Sequence, residues 1–355
     1  MTLLSFAARD FRCLESVALE VSPRYTLVYG RNASGKTSLL EAVAYLGRGK
    51  SFRRASTDRL VRHGADEFVL FGRAAIGGRQ RSLGVRNSRA GLEMSVDGER
   101  GGGVAALAEL LPLQVVDPDV HGLVAGGPDE RRRYLDWVAF HVEPAYLDLW
   151  RDYRRALRQR NTILRDGGPS ETLSGWDREF AVLAGRIDAV RLRMLETARP
   201  TLEAIGQRLL GAPVGFEYQR GWPADQSLAE ALESGRPRDR QLGSTQAGPQ
   251  RADLRLSSEA RGARKVVSRG QQKLLACTLI LAATSVVQRQ LDRPLLLLLD
   301  DPAAELDAAA LERLMNEVAA LGSQVIATSL QPDLALFPEP PARFHVEQGQ
   351  LRPIG

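Results

Sequence analysis

Cysteine is scarce in this chain: two among 355 residues, Cys13 and Cys277, far apart and outside any CxxC pair. Both are expected in apolar surroundings, which excludes a disulfide scaffold or a zinc ribbon and fits a reducing compartment. The four histidines, His63, His121, His141 and His345, lack metal-ligand spacing. There is no long apolar segment. The longest run, Leu274 to Val287, is interrupted by Thr278, Thr284 and Ser285 and is shorter than a bilayer requires. The N-terminus MTLLSFAARDFR meets charge within nine residues, so it does not read as a secretory signal. A soluble, cytoplasmic protein with no membrane partner is expected, and no internal repeat is present.

Lysine is rarer still for so basic a protein. Only Lys36, Lys50, Lys265 and Lys273 accompany 44 arginines, and formal net charge is +5. In a chain that uses Arg by default, a Lys marks a place where a compact point charge is wanted. Hydrophobic residues at 44% and charged residues at 26% are ordinary globular proportions, which excludes disordered and fibrous classes. The length allows two or three folding units.

The first Lys lies in Gly30-Arg31-Asn32-Ala33-Ser34-Gly35-Lys36-Thr37, which fits G-x-x-x-x-G-K-[ST]. Before it stands the β-rich run Tyr25–Tyr29; after it come apolar residues at helical spacing, Leu39 to Leu46. That context makes it a phosphate-binding loop. Glycines turn backbone N–H groups inward, the helix presents its positive end, Lys36 reaches the β- and γ-phosphates, and the Thr37 hydroxyl joins the Mg²⁺ shell. Its acidic counterpart is Leu295–Leu299 followed by Asp300 and Asp301. A buried strand ending there delivers Asp300 to the metal, and leaves Asp301 to orient or deprotonate the attacking water. No guanine-reading NKxD element lies in the long interval between the two, so adenine is the expected base and ATP the cofactor.

That interval holds a helical lobe. Tyr146, Trp150, Tyr153, Leu157, Arg160 and Leu164 form one stripe, and Trp176, Phe180, Leu183, Ile187, Val190 and Met194 another. The turn-rich GGPSETLSG joins them, which predicts a short antiparallel hairpin with helices of roughly 30 Å. Residues 222–250, rich in Gly, Pro and Ser, read as a linker. The expected division is residues 1–125 as the first part of an α/β head, 126–240 as the helical lobe, and 241–355 as the second part of the head.

Val267-Ser268-Arg269-Gly270-Gln271-Gln272-Lys273 opens a further helix just before the acidic strand. With this segment the chain resembles the ABC-type ATPase heads of DNA-maintenance proteins, and within them the RecF family. LGRGKSFRR, PDVHGLVAGGPDERRRYLDW, WRDYRRALRQRN, GPQRADL, SRGQQKLLAC and LLDDPAAELD carry the likeness from end to end. The resemblance implies a homodimer that sandwiches two ATP molecules, with Ser268 and Gly270 acting on the partner's nucleotide. It implies Asp307 as a dimer contact and Gln114 as a Q-loop residue. It further implies slow ATP hydrolysis, a grip on single-stranded, double-stranded and gapped DNA, and RecO- and RecR-type partners that help RecA load. Ala33 stands where the family has Gly, Ala304 where it has Ser, and Gln250 where it often has His. Thr328 and Ser329 replace the switch His of transporter ATPases, which counts against the alternative of an ABC transporter ATPase subunit.

Three arginine-rich stripes suit contact with nucleic-acid phosphates. One runs from Arg48 to Arg62 and includes Lys50, Arg53 and Arg54; one is the helix that carries Arg154, Arg155 and Arg158; the third runs from Arg251 to Lys273.

Overall fold

The computed structural model describes residues 1–258, 261–262, 268–332 and 336–354, with backbone alone at 258, 261 and 262. The chain opens on β1 (Thr2–Phe11) and β2 (Leu14–Glu20), then β3 (Tyr25–Tyr29) and α1 (Lys36–Arg48). A meander follows: β4 (Phe68–Ile76), β5 (Arg79–Ser88), β6 (Gly91–Val96) and β7 (Glu99–Arg100). Next come α2 (Gly103–Leu110) and β8 (Leu113–Val116). The middle of the chain is mainly helical: α3 (Gly122–Ala125), α4 (Pro128–Val142), α5 (Tyr146–Asp166) and α6 (Ser170–Leu210). It continues with β9 (Val214–Gln219), α7 (Leu228–Leu242), β10 (Asp253–Ser258), β11 (Arg261–Gly262) and α8 (Arg269–Leu291). The last elements are β12 (Leu296–Leu299), α9 (Ala308–Ala320), β13 (Gln324–Ser329), β14 (Ala342–Glu347) and β15 (Gln350–Ile354).

Two compact units result: residues 1–120 with 292–355, and residues 121–291. The expected assignment of 241–291 to the head therefore changes. Those residues pack with the helical unit, because β10 pairs with β9 and α8 lies against α3, α4 and α6.

In the first unit, an antiparallel sheet ordered β2-β1-β4-β5-β6-β7 and a mixed sheet ordered β15-β14-β3-β13-β12-β8 enclose α1. Residues Leu39 to Gly47 of α1 are all buried, and the one charge among them, Glu41, is paired with Arg12 at 2.8 Å. The four leucines of β12 are fully buried between two parallel neighbours, β8 and β13, which is why that strand is a continuous apolar run rather than an alternating one.

In the second unit both stripes face inward, and Tyr153 stacks on Phe180 with ring centroids 5.3 Å apart. The aromatics are packing, as read. Helix α5, 21 residues or roughly 30 Å, has the expected length, and α6 does not. Helix α6 runs for 41 residues, roughly 60 Å, and continues through Pro200. Its stripe extends past the proline through Leu202, Ile205 and Leu209, all buried, and this burial offsets the lost backbone bond. The supposed linker contains α7, whose Ser227 and Glu230 form a capping box. Helix α8 is long and apolar enough to cross a membrane by composition, but it is mostly buried within its own unit and is a core helix. Cys277 on α8 is buried, whereas Cys13 is exposed at the β1–β2 turn, contrary to expectation.

Candidate nucleotide site

The site is built where β3 ends and α1 begins. Gly30 donates its N–H to the Ser329 carbonyl at 3.2 Å, tying the loop to β13. A Cβ on Gly30 would stand 2.3 Å from the Val346 carbonyl oxygen, so no other residue fits there. Gly35, the N-cap of α1, has φ +115 and no side chain to cap the first turn, which leaves the positive end of the helix open to an anion. The buried Ser34 hydroxyl has no hydrogen-bond partner. Lys36 donates to the carbonyls of Gly30 at 2.7 Å and Arg31 at 2.9 Å, so its ammonium closes the loop from inside. Burial lowers its pKa, against the charges of Asp301 and Asp300. Arg31, Asn32 and Ala33 are exposed at the rim.

Ala33 has φ +61, a left-handed conformation that explains the usual glycine. Ala33→Gly is expected to stabilise the free protein by about 1 kcal/mol, a rise of roughly 2–4 °C in Tm. Nucleotide affinity should stay within threefold. An unchanged or lower Tm in a thermal melt would contradict this.

Thr37 and Asp300 meet as the motifs require, with the Thr37 hydroxyl donating to Asp300 Oδ1 at 3.1 Å across 263 residues of sequence. Thr328, where transporter ATPases have the switch His, ties the two acids together. Its hydroxyl donates to Asp300 Oδ1 at 2.8 Å and accepts the Asp301 N–H at 2.9 Å, so one side chain positions both acids. Burial raises the pKa of Asp300 above the usual carboxylate range. Hydrogen bonds from Thr328 and Thr37 work against this, the charge of Asp301 adds to it, and Arg53 opposes it. Asp301 itself has φ +47 at the turn after the strand. A buried carboxylate, a hydroxyl and a neighbouring acid are the hard oxygen donors that suit a divalent cation such as Mg²⁺.

The structure adds contacts to three of the sequence expectations here. Gln114 lies in the middle of β8, where its side-chain oxygen accepts from Arg48 at 3.0 Å. The residue that follows the strand toward the Asp300 end is Asp117, which sequence reading did not single out. Arg53, read as a nucleic-acid contact, is exposed, but its charge acts on Asp300. Arg48 turns inward to the Leu113 carbonyl and Gln114, and Arg62 pairs with Asp10 at 2.8 Å, so that stripe is reduced to Lys50, Arg53, Arg54 and Arg59, all exposed.

The second unit holds the remaining expected residues. Ser268 and Gln271 cap α8 reciprocally: the Gln271 N–H reaches the Ser268 hydroxyl at 3.3 Å and the Ser268 N–H reaches Gln271 Oε1 at 3.1 Å. Ser268 is exposed and Gly270 half-buried. On α5, Arg154 stacks over Trp150, Arg155 pairs with Asp152 at 3.1 Å, and both, with Arg158, are exposed. Arg160 is fully buried and Lys273 nearly so, which removes both from any contact surface. Arg264 and Lys265 lie outside the described residues. Gln250, which stands where the family often has His, exchanges hydrogen bonds with the Tyr153 hydroxyl at 2.5 and 3.1 Å. In the first unit, Asp307 caps α9 by accepting the Ala310 N–H at 2.7 Å.

A phosphate loop facing an acidic strand end, on an α/β head interrupted by a helical unit, defines an ABC-type ATPase head. The model of the RecF/RecN/SMC N-terminal domain matches residues 2–346, and the chain belongs to this family. DNA replication and repair protein RecF of Shewanella pealeana is 37% identical over 359 residues, with full coverage of both chains. RecF of Shewanella oneidensis is equally similar. Among solved structures, the recombination mediator RecF with ATP aligns with a TM-score of 0.89 at 23% identity, over 100% of this chain and 98% of that one. A Pyrococcus furiosus Smc head with an extended coiled coil aligns at 0.62 and 14% identity, over 99% and 96%. These likenesses establish the shared fold. The family places the chain with DNA-maintenance heads rather than transporter ATPases.

Proposed function

We propose that this chain is an ATP-dependent DNA-binding protein of recombinational repair and replication restart. Two copies sandwich two ATP molecules, each bound by residues 30–37 of one head and met by Ser268 and Gly270 of the other. Thr37 and Asp300 hold Mg²⁺, which supplies charge neutralisation at the triphosphate. Lys36 binds the phosphates, Thr328 fixes the acids, and Asp301 is placed to orient the attacking water. The closed dimer grips single- or double-stranded DNA at gaps and junctions through exposed residues of both units: Lys50, Arg53 and Arg54, and Arg154, Arg155 and Arg158. RecO- and RecR-type partners then assist RecA loading, and slow, DNA-stimulated hydrolysis releases the protein. Its place of action is the cytoplasm.

The full-length match to repair proteins, at 37% identity, is the observation that carries this reading. Binding to gapped duplex DNA should be strong with ATP and weak with ADP or no nucleotide. Ser268→Arg should abolish the ATP-dependent gain while each subunit still binds ATP. DNA binding indifferent to nucleotide, measured by fluorescence anisotropy, would dismiss the clamp.

A further inference from the structure

Strand β3, which runs into the phosphate loop, lies between two parallel neighbours, β13 and β14. The loop is tied on both sides. Its first residue, Gly30, is bound to Ser329 at the end of β13, and further along the Ser34 carbonyl accepts the Gly349 N–H at 2.8 Å. Gly349 belongs to the tip of the β14–β15 hairpin. Glu347 pairs with Gln350, so Gln348 and Gly349 are the two turn residues, and their φ values of 48 and 77 make a type I′ turn. The tip fits closely. A Cβ on Gly349 would stand 2.2 Å from the Cys13 carbonyl oxygen, and the Gly349 Cα lies 3.4 Å from where a Cβ on Gly35 would be. The hairpin tip is thus wedged between the β1–β2 turn and the phosphate loop.

We infer that Gly349 is a positioning residue for the nucleotide: it fixes the Ser34–Gly35 peptide plane, so that the Gly35 N–H is aimed at the phosphates before they arrive. In a planar trans peptide the C=O and the following N–H point in opposite directions. With the Ser34 carbonyl held outward by Gly349, the Gly35 N–H points back into the loop, at the open first turn of α1. Without that bond the plane is free to turn, because a glycine at position 35 imposes little preference of its own. A turned plane withdraws the donor and sets a carbonyl dipole against the triphosphate. This role rests on the nucleotide assignment above.

The test titrates the full chain with a fluorescent ATP analogue and follows its thermal melt, as wild type and with single substitutions. Gly349→Ala sets its Cβ against the Cys13 carbonyl and pushes the tip off Ser34. Binding should weaken by about tenfold or more, the worth of one charge-assisted hydrogen bond. Gly349→Asn tolerates the left-handed turn better but carries the same Cβ, so it should lose as much affinity with a smaller fall in Tm. Gly98→Ala is the control, because φ there is +82 and nothing lies within 4 Å of the added Cβ. It suffers the backbone strain alone and should bind within about twofold of wild type. By linkage, the analogue should also slow amide exchange at Gly349 in the wild-type chain by about tenfold or more, which decides the question if both Gly349 variants unfold. Affinities of the Gly349 variants that match Gly98→Ala, or Gly349 exchange that the analogue leaves unchanged, overturn the positioning role and leave the nucleotide site intact. A wild-type chain that binds no analogue overturns both.

Discussion

Lys36→Met is expected to weaken ATP binding by at least about a hundredfold while the fold persists. The methionine has nearly the same length and volume, so α1 keeps its packing between the two sheets. What disappears is the ammonium. In the free protein it donates to two loop carbonyls, Gly30 and Arg31, and so is already drawn to the centre of the loop where the phosphates would lie. Each charge-assisted hydrogen bond to a phosphate is worth about 1.5–3 kcal/mol, and two of them make the hundredfold. Titration with a fluorescent ATP analogue measures this directly. An affinity within fivefold of wild type would dismiss the nucleotide site, since the loop's other cation, Arg31, is exposed at the rim.

The second large effect is on stability. Arg160, at the centre of the α5 stripe, has no exposed surface. Its Nε donates to Asp177 at 2.7 Å, and one terminal nitrogen donates to Asp239 at 2.7 Å and to the Thr245 hydroxyl at 2.8 Å. Asp177 also receives Arg236 at 2.9 Å, and Asp239 accepts the Gln246 N–H at 3.0 Å. One guanidinium thus joins α5, α6, α7 and the segment after α7. Arg160→Ala leaves two buried carboxylates short of a partner and opens a cavity, and should cost about 3–5 kcal/mol. The expected result is a fall in thermal midpoint with early hydrogen exchange in α5. Adding Asp177→Asn and Asp239→Asn should recover part of the loss, because the penalty lies in the stranded charges. A single substitution costing under 1 kcal/mol would show that water reaches this network.

The elements that were legible in the sequence are those whose pattern is locally complete. Lys36 to Arg48 is helical because Gly35 starts it and Leu39 to Leu46 bury every face. Leu296–Leu299 is a strand because a run of leucines bounded by Pro294 and two aspartates suits only a buried parallel position. Two helices were misjudged. The stripe of α6 was read only from Trp176 to Met194, yet it continues beyond Pro200 through buried Leu202, Ile205 and Leu209, where tertiary packing outweighs one missing backbone bond. Pro237 and the surrounding Gly and Ser argued for a linker over α7, although Ser227-Leu228-Ala229-Glu230 is a readable capping box.

The site divides in the same way. By itself the sequence determined the chemistry that depends on neighbours in the chain: a loop of backbone donors ending in Lys36 and Thr37, an acidic strand end at Asp300 and Asp301, and a basic, arginine-dominated surface. Those spacings carry their own geometry, since a helix start or a strand end places adjacent residues without help from the rest of the fold. Only the tertiary structure decided that Thr328 bridges the two acids, that Arg53 acts on Asp300, that Gln114 turns to Arg48, and that Asp117 follows β8 at the height of Asp300. Each of these depends on contacts between segments far apart in sequence. No local pattern states which strand lies beside which, or which residue follows it at the same height.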